Sequence, residues 1–450
     1  MPRKFERSVQ IKRPTAEVFA WHEMPGALQR LTPPWETVEV KASGVGVKDG
    51  ARVELRSKIG PVWMTWLVEH FDYREGEQFC DRQLKGPFAK WEHVHRFADD
   101  GEGGCMLTDE IQYELPGGAA GAMAVGTVEQ RLDQMFRYRH AVTKADLELP
   151  AQKAGRVLIS GASGMIGSAL VPFLQTQGWV VDKLVRRETR EDGEIRWDPV
   201  ATTINWPDNY HCDAVIHLAG ANIAEGRWTT ERRETLTRSR IESTRTLVNG
   251  LRQLSNLPTV FLSGSAIGIY GSRKDEVLTE ASDGGSGFLA DLCRDWEAEA
   301  DPADTLGIRT VKLRMTPAGG ALGKLLPIFK SALGGPLGDG QFWQSWISLD
   351  DWLRAVLQLL GDENAHGPVN LVSPQPVRQR EFAQVLGKVL GRPAVIPTPA
   401  VALKLAFGQM ADEALMASTR VEPAALELRN FKFLHPSLEN ALRHVLGRPE

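Results

Sequence analysis

The sequence has few of the residues that mark several large classes of protein. Only four of its 450 residues are cysteines, and they are scattered, which argues against a disulfide framework or a zinc site. No apolar run is long enough to cross a membrane, and the first residues lack the apolar core of a signal peptide. A net charge of −4 gives no electrostatic case for nucleic acid. We therefore expect a reduced, cytoplasmic protein with no membrane span and no nucleic-acid partner.

The most informative segment is a glycine-rich turn near the middle of the chain. The apolar run Val157–Ile159 predicts a buried strand, and a helical spacing of apolar residues begins at Ile166. Such a strand, turn and helix N-terminus can hold a dinucleotide pyrophosphate, because glycine lets the backbone approach and free helical N–H groups favour an anion. A tight turn with no ligand is the alternative. The predicted cofactor-binding residues here are Gly161, Ser163, Gly164, Met165, Ile166 and Gly167.

Strand and helix signals alternate beyond this turn. Strands are predicted at 156–160, 179–185, 213–218, 258–263 and 308–313, and helices at 165–177, 230–253 and 287–304. This alternation is typical of an α/β fold with a doubly wound parallel sheet, as in Rossmann-like domains. After residue 396 the signals are helical only. We therefore predict a dinucleotide-binding domain over 156–396 and a small helical region over 397–450.

The part of the chain before the glycine turn has a different pattern. Strand-like segments follow one another, separated by turns rich in glycine and aspartate, and a long helical pattern runs from Val125 to Leu147. The predicted strands are Lys4–Ile11, Thr37–Lys41, Ala51–Ile59, Trp63–Asp72, Glu77–Gln83, Lys90–Ala98 and Cys105–Leu115. We predict a separate α+β domain over 1–149, joined to the second domain by a linker over 150–155.

This first domain resembles the START-like helix-grip fold of the polyketide-cyclase type. The resemblance rests on the order of strand, short helices, antiparallel meander and long helix, and on the segments Pro14–Phe19 and Gly86–Trp91. Such folds often enclose an apolar cavity, so the resemblance implies a lipid-like or aromatic ligand. A packed domain with no ligand is the equally open alternative.

Two histidines of the first domain have a spacing that a metal pair could have. His93 and His95 lie two residues apart on a predicted strand and therefore share a face. The sequence offers no third ligand beside them. We therefore interpret them as ordinary sheet histidines and expect no metal.

The choice of dinucleotide depends on the end of the second strand of the parallel sheet. Asp182 lies at about the distance from the glycines where an acidic residue would bind the ribose of NAD, but three more strand residues follow it. The tip of the strand is instead occupied by Arg186 and Arg187. A guanidinium there suits the 2′-phosphate of NADP, so we predict NADP as the cofactor. Two solvated surface charges are the alternative.

The second domain resembles the extended short-chain dehydrogenase/reductases, and more narrowly their atypical, sugar-nucleotide epimerase-like subgroup. The resemblance is carried by Asp213–Gly220, Val260–Ala266, Ser345–Asp351, Gly226–Thr229, Ser239–Ile241, Phe288–Ala290, Leu292–Glu297, Gly334–Gly338 and Gly408–Asp412. It implies further cofactor contacts at Leu218, Ala219, Gly220, Arg240 and Ser263, and an active-site serine at Ser265. For Arg240 the alternative is a charge on the helix surface.

The catalytic pattern of that family is incomplete. Its members use a Tyr-x-x-x-Lys pair on the helix after the serine strand to move the proton that accompanies hydride transfer. In this chain those two positions fall on Leu289 and Cys293. Tyr270 has Lys274 four residues on, but it lies in the loop that leaves the serine strand, so we interpret that match as accidental. The segment 313–320 is also shorter than in relatives, which we expect to alter the nicotinamide side of the site.

Three functions stay open at this point. The first is an NADP-dependent oxidoreductase or epimerase in which Ser265 polarises a small carbonyl or sugar-type substrate. The second is an NADP-binding sensor or regulatory protein with little catalysis. The third is a protein whose first domain binds an apolar ligand. A homodimer is an assembly that the sequence leaves open, and the substrate cannot be read from it.

Overall fold

The chain forms two compact units. The computed structural model describes residues 2–43, 46–59, 62–117, 123–316 and 321–449. Within these residues, the first unit runs to Gln152 and includes Gln175–Gly178 and the residues from Arg443 onward, and the second contains Lys153–Leu174 and Trp179–Leu442. The domain boundaries given above stay predictions.

The first unit is built on a seven-stranded antiparallel sheet. Its strands are β1 Arg3–Ile11, β2 Val38–Ser43, β3 Arg52–Ile59, β4 Val62–Arg74, β5 Gln78–Lys85, β6 Lys90–Asp99 and β7 Cys105–Glu114. They are arranged in the order β1-β7-β6-β5-β4-β3-β2, so that β1 closes onto β7 and the rest form a meander. In β7, buried residues alternate with partly exposed ones over most of its length, which is the pattern of a sheet with one buried face.

Helices cover the buried face of this sheet. They are α1 Thr15–Glu23, α2 Ala27–Arg30 and α3 Val125–Leu147. Phe136 of α3 is fully buried in one apolar cluster with Trp91, Ile111 and Tyr113 of the sheet. The order of elements and the long closing helix agree with the START-like α+β fold that the sequence predicts.

The second unit contains the parallel sheet. Its strands are β8 Arg156–Ser160, β9 Val180–Val185, β10 Glu194–Asp198, β11 Thr203–Ile204, β12 Ala214–His217, β13 Val260–Ala266, β15 Arg309–Met315 and β17 Gly367–Leu371. They lie in the order β11-β10-β9-β8-β12-β13-β15-β17, and all neighbours are parallel except the pair β10 and β11. This is the doubly wound, Rossmann-like order, in which the chain reverses direction across the sheet beside its first strand. Two small sheets pair β14 Val277–Leu278 with β19 Arg420–Val421, and β16 Trp343–Gln344 with β18 Val377–Arg378.

The remaining helices begin with the one that follows the glycine turn. They are α4 Met165–Thr176, α5 Thr230–Leu251, α6 Phe288–Ala300, α7 Ala321–Lys330, α8 Leu349–Gly361, α9 Gln379–Leu390, α10 Ala400–Phe407, α11 Ala424–Leu428 and α12 Leu438–Val445. Among the described residues, no helix is both long enough and apolar enough to cross a membrane.

The core of the parallel sheet explains why the sequence signals were strong there. Leu158, Val215 and Phe261, on three adjacent strands, are fully buried in one cluster. Strands with both faces covered read as continuous apolar runs, which is how β8 and β12 were predicted. The strands β10 and β11 were not predicted from the sequence. Strand β11 has only two residues, and both belong to the short antiparallel ladder that it forms with β10.

Candidate functional site

Gly161 and Gly167 at the glycine turn leave no room for a side chain of their own. Gly161 has a φ of 75°, and a Cβ built on it would lie 2.7 Å from the carbonyl carbon of Leu218. A Cβ on Gly167 would overlap the carbonyl oxygen of Gly161. The backbone of the turn is therefore packed tightly against the end of β12, while Ser163 and Gly164 are exposed at the start of α4. An anion can approach this helix N-terminus directly.

The ends of β8 and β12 lie level with Ser263 of β13 beside this turn. The ladder register aligns Ser160 of β8 with His217 of β12, and His217 with Ser263 of β13. His217 is fully buried, and its ring is hydrogen-bonded to the hydroxyls of Ser160 (2.6 Å) and Thr244 (3.0 Å). Burial lowers the pKa of His217 to about 3, so the ring is neutral. This imidazole thus fixes the strand ends without adding charge to the site.

The Asp182 carboxylate is hydrogen-bonded within the protein and is therefore not available to a cofactor. It is the third residue of β9 and buried, and its carboxylate accepts hydrogen bonds from the Arg156 guanidinium (3.0 Å) and the Tyr210 hydroxyl (2.9 Å). Its position inside the strand agrees with the sequence interpretation. The carboxylate is used to hold the sheet together.

The two arginines at the tip of β9 have different surroundings. Arg187 forms a two-pronged ion pair with Glu194 at 2.5 and 2.8 Å, which lowers the pKa of Glu194 to about 2. Arg186 is exposed and has no hydrogen-bond or ion-pair partner among the residues that the structure describes. Because Ser160 pairs with Leu184, Arg186 follows β9 at the same edge of the sheet where the glycine turn follows β8. Of the two, Arg186 is the guanidinium left for a phosphate.

Arg240 lies against Gly220, just beyond β12. A Cβ on Gly220 would be 3.3 Å from the guanidinium carbon of Arg240. That guanidinium donates to the carbonyls of Leu236 and Ala221 at 3.1 Å each and stacks over the Trp296 ring at 5.1 Å. In the described parts of the chain no carboxylate pairs with it, and burial lowers its pKa. A bound anion would supply the missing counter-charge.

The helix face that holds the Tyr-x-x-x-Lys positions in relatives is apolar here. Leu289 and Cys293 lie one turn apart on α6, and both are buried. A Cβ on Gly268 would lie 3.3 Å from the Leu289 Cβ and 3.9 Å from the Cys293 sulfur, so both face the turn after β13. Burial raises the pKa of the Cys293 thiol to about 12. Neither side chain can pass a proton at neutral pH.

Ser265 belongs to a buried network and not to an open surface. Its hydroxyl is fully buried and donates to the Glu297 carboxylate at 2.6 Å. Glu297 also accepts from Arg314 at 2.8 and 3.0 Å, and Arg314 donates to the Tyr270 hydroxyl. Tyr270 in turn donates to Asn370 at 2.7 Å. This geometry argues against the expected role of Ser265 in polarising a substrate and favours a positioning role.

Tyr270 and Lys274 do not form a proton-transfer pair. Tyr270 is fully buried in the short 3₁₀ turn Ile267–Tyr270, and burial raises its pKa. Lys274 is exposed in the following loop. Of the segment 313–320, which was expected to alter the nicotinamide side, residues 317–320 lie outside the described residues.

Sequence reasoning missed the charged members of this network. Glu297 continues the α6 stripe of Leu289 and Cys293 at a spacing of four, and Arg314 lies within a buried strand. A carboxylate and a guanidinium at core-facing positions of adjacent elements are a signal of a buried pair, since such groups are rarely buried alone. That signal was available in the sequence.

The residues at the sheet edge fit a dinucleotide. Gly161 and Gly167 let the turn pack closely where any Cβ would collide with backbone, and Arg186 and Arg240 are guanidinium groups with no carboxylate partner among the described residues. The Ser263 hydroxyl is buried at the level of His217 and has no hydrogen-bond partner in the described structure. The glycine turn and the two guanidinium groups can each bind phosphate, and the Ser263 hydroxyl is an unsatisfied polar group level with the end of β12.

Three family models match the chain. Residues 157–371 match the NAD dependent epimerase/dehydratase family. Residues 2–138 match the family described as polyketide cyclase / dehydrase and lipid transport, and residues 398–445 match a domain of unknown function, DUF1731.

Curated relatives and solved structures agree with these matches. Epimerase family protein Mb2239 of Mycobacterium bovis is 39% identical over 297 residues, covering 65% of this chain and 98% of the relative. A solved nucleoside-diphosphate sugar epimerase from Corynebacterium glutamicum is 31% identical with a TM-score of 0.79, over 98% of this chain and 90% of that one. Human epimerase family protein SDR39U1 (isoform 2), solved with NADPH, is 31% identical with a TM-score of 0.58, over 64% and 98%. The chain therefore belongs to the NAD dependent epimerase/dehydratase family, with a START-like polyketide-cyclase domain before its epimerase domain.

Proposed function

We propose that the second unit binds NADP(H) at the carboxyl edge of its parallel sheet and acts on a small carbonyl or sugar-type substrate. The observation that carries the proposal is the register of β8 and β9. It sets the closely packed glycine turn beside Arg186, a guanidinium with no partner among the described residues. A pyrophosphate on the turn and a 2′-phosphate on Arg186 would satisfy both. The relative solved with NADPH supports this choice of cofactor.

The other predicted contacts have consistent roles in this proposal. Ser163, Gly164 and Met165 are exposed at the start of α4, and the backbone N–H groups of the first turn of α4 would face the phosphates. Leu218, Ala219 and Gly220 continue from β12 along the cofactor. Gly167 packs against the backbone of Gly161 and Ala162, and Ile166 precedes it in the first turn of α4. Arg187 is held by Glu194 and shapes the loop that carries Arg186.

The chemistry of the site is limited by proton transfer. A bound nicotinamide would supply or accept a hydride. Leu289 and Cys293 offer no group that titrates near neutral pH, and Tyr270 is held between Arg314 and Asn370. General acid–base help is typically worth about 10²–10⁴ in rate, so slow turnover on generic substrates is expected.

A catalytically weak NADP(H)-binding sensor is the second candidate. The specific observation in its favour is the apolar packing of Leu289 and Cys293 against Gly268, which seals the place of the usual catalytic pair. The likeness to a nucleoside-diphosphate sugar epimerase supports the first candidate instead, since that protein is named for a sugar substrate.

Titration of the purified chain with NADPH, followed by nucleotide fluorescence, tests the proposal. Wild type is expected to bind one equivalent, and Gly167→Ala to lose binding, because its new Cβ overlaps the Gly161 carbonyl. Gly323→Ala is the matched control, since a Cβ there meets nothing within 4 Å. Circular dichroism checks that each variant is folded. Equal binding by Gly167→Ala and the control would refute the proposed site, and turnover on a sugar-nucleotide panel would separate the two candidates.

A further inference from the structure

A cluster of imidazole and carboxylate groups lies in the first unit, far along the chain from the cofactor residues. The register of the antiparallel sheet sets His93 of β6 beside Asp81 of β5, and His95 of β6 beside Asp109 of β7. His140 of helix α3 joins the cluster through a hydrogen bond to Asp109. Side chains at alternate positions of neighbouring strands share a face, so the sheet brings together groups that are up to 28 residues apart within it.

Asp109 fixes the hydrogen positions on three imidazole rings. Its carboxylate faces His93 Nε2 at 2.9 Å, His95 Nδ1 at 2.6 Å and His140 Nε2 at 2.5 Å. An ionised carboxylate only accepts hydrogen bonds, so each of these nitrogens carries the hydrogen. In the neutral rings, the opposite nitrogens of His93 and His95 are then bare acceptors.

Those two bare nitrogens point at a second carboxylate. The Asp81 Oδ2 atom lies 3.1 Å from His93 Nδ1 and 3.7 Å from His95 Nε2. The other oxygen of Asp81 already accepts from the Trp91 indole at 3.3 Å. Three acceptor atoms therefore converge, all within 4.8 Å of one another, and a cation among them is required to offset their repulsion.

We propose that Asp81, His93 and His95 bind a divalent transition-metal ion of the Zn²⁺ type. A tetrahedral ion with ligand distances of about 2.0–2.1 Å holds its ligand atoms about 3.3–3.5 Å apart, close to the separations from Asp81. Two imidazoles and one carboxylate leave at least one coordination position for water or another ligand.

The surroundings of the three ligands match those of metal sites. Asp109 accepts a hydrogen bond from the second ring nitrogen of both ligating histidines, which is the carboxylate–histidine–metal arrangement that orients such ligands. Phe79 stacks on His95 with ring centroids 4.2 Å apart, and Phe136 meets His93 edge-on at 5.3 Å. Asp81 and His95 keep 14% and 12% of their side chains exposed, which gives an ion a way in.

His140 adds an independent sign of an absent partner. Its ring is buried and Nε2 is bonded to Asp109, while Nδ1 is buried with no hydrogen-bond partner in the described structure. A buried polar atom without a partner is costly, so a water or ligand bound beside the cluster would satisfy it.

A proton is the competing occupant of the cluster. Burial lowers the pKa of His93, but Asp81 and Asp109 outweigh it and raise the pKa to about 9. A protonated His93 would also bridge the two carboxylates. Direct metal titration distinguishes the two occupants, because only a metal site binds Co²⁺ with the ligand-dependent visible absorption of a four- or five-coordinate ion.

The experiment uses the full chain, treated with a chelator, dialysed and titrated first with Co²⁺ and then with Zn²⁺. We expect one Co²⁺ per chain, with a visible band that Zn²⁺ abolishes. Asp81→Asn and His95→Gln should remove the band. Asp109→Asn leaves all three ligands in place and should weaken binding about 10–100-fold, as loss of an orienting partner does. His366→Gln, at an exposed histidine of the second unit, is the control and should bind as wild type does.

The outcomes decide the proposal in either direction. Far-UV circular dichroism shows whether each variant is folded, and His95→Gln serves if the more buried His93 cannot be changed without unfolding. Absence of Co²⁺ binding by folded wild type would overturn the metal site and leave the proton in its place. Undiminished binding by folded Asp81→Asn and His95→Gln would also overturn it, because the ion would then lie elsewhere.

Discussion

Arg186→Ala is the substitution that tests the choice of cofactor most directly. Arg186 is exposed at the tip of β9 and has no partner among the described residues, so its removal breaks no contact within the fold. The variant is therefore expected to keep the stability of the wild type. Any change in nucleotide affinity then reports on the nucleotide alone.

The magnitude follows from the kind of contact that Arg186 can make. A hydrogen bond between charged groups typically contributes about 1.5–3 kcal/mol. Solvent and salt weaken exposed charge pairs, so we take the lower end of that range. Wild type should then bind NADPH at least about tenfold more tightly than NADH, a difference of about 1.4 kcal/mol. Arg186→Ala should lose most of this preference by weakening NADPH binding while NADH affinity stays unchanged.

Calorimetric titration with both nucleotides, at low and moderate salt, measures this preference. Arg190→Ala removes the same charge from another exposed position of the loop and is the matched control. The wild-type preference should shrink as salt rises, since a phosphate contact is screened. Equal affinities of wild type for the two nucleotides would refute the reasoning, as would an equal effect of the two alanine variants.

Other predictions concern the buried polar groups. Asp182→Asn should lower the Tm, because the hydrogen bonds from Arg156 and Tyr210 to the carboxylate weaken. It should leave the Kd for NADPH unchanged, and a selective loss of NADH binding would contradict this prediction. Tyr270→Phe should cost about 1–3 kcal/mol in chemical denaturation and leave turnover unchanged, whereas a large loss of kcat would make it catalytic. His217 has a folded pKa of about 3 against an ordinary 6.5, so stability should be full above pH 6.5 and fall as the pH drops towards 3, and His217→Gln should flatten that loss in thermal scans. Turnover on aldehydes, ketones and sugar nucleotides should be about 10²-fold or more below that of enzymes with the Tyr-x-x-x-Lys pair, and rapid turnover would refute the proton-transfer argument at Leu289 and Cys293.

The glycine turn and the alternation of strands and helices were predictable because both depend on local sequence. A continuous apolar run, glycines at fixed intervals and an amphipathic helix are all read within about 20 residues of one another. The position of Asp182 inside β9 could be predicted for the same reason, since it requires only a count of the residues that follow it in the strand. The distinction between Arg186 and Arg187 could not, because it depends on the side chain of Glu194 on the next strand.

The buried networks required knowledge of register. Ser265 was expected to face a substrate, but the side on which a residue of β13 points is set by its packing against α6. No carboxylate beside His93 and His95 could be predicted, because Asp81 lies on β5 and the pairing between strands determines which of its residues comes alongside. A shift of one residue would move Asp81 to the other face.

The bonding of Asp109 to three histidines has a consequence for how the first unit folds. Strands with an apolar face are kept in register mainly by burial, and neighbouring apolar side chains can often replace one another at small cost. Here a slip of β7 against β6 would bury the Asp109 carboxylate without its contacts to His93, His95 and His140. The polar cluster therefore penalises misaligned sheets that the surrounding phenylalanines and leucines would tolerate, and it selects one alignment of the meander during folding.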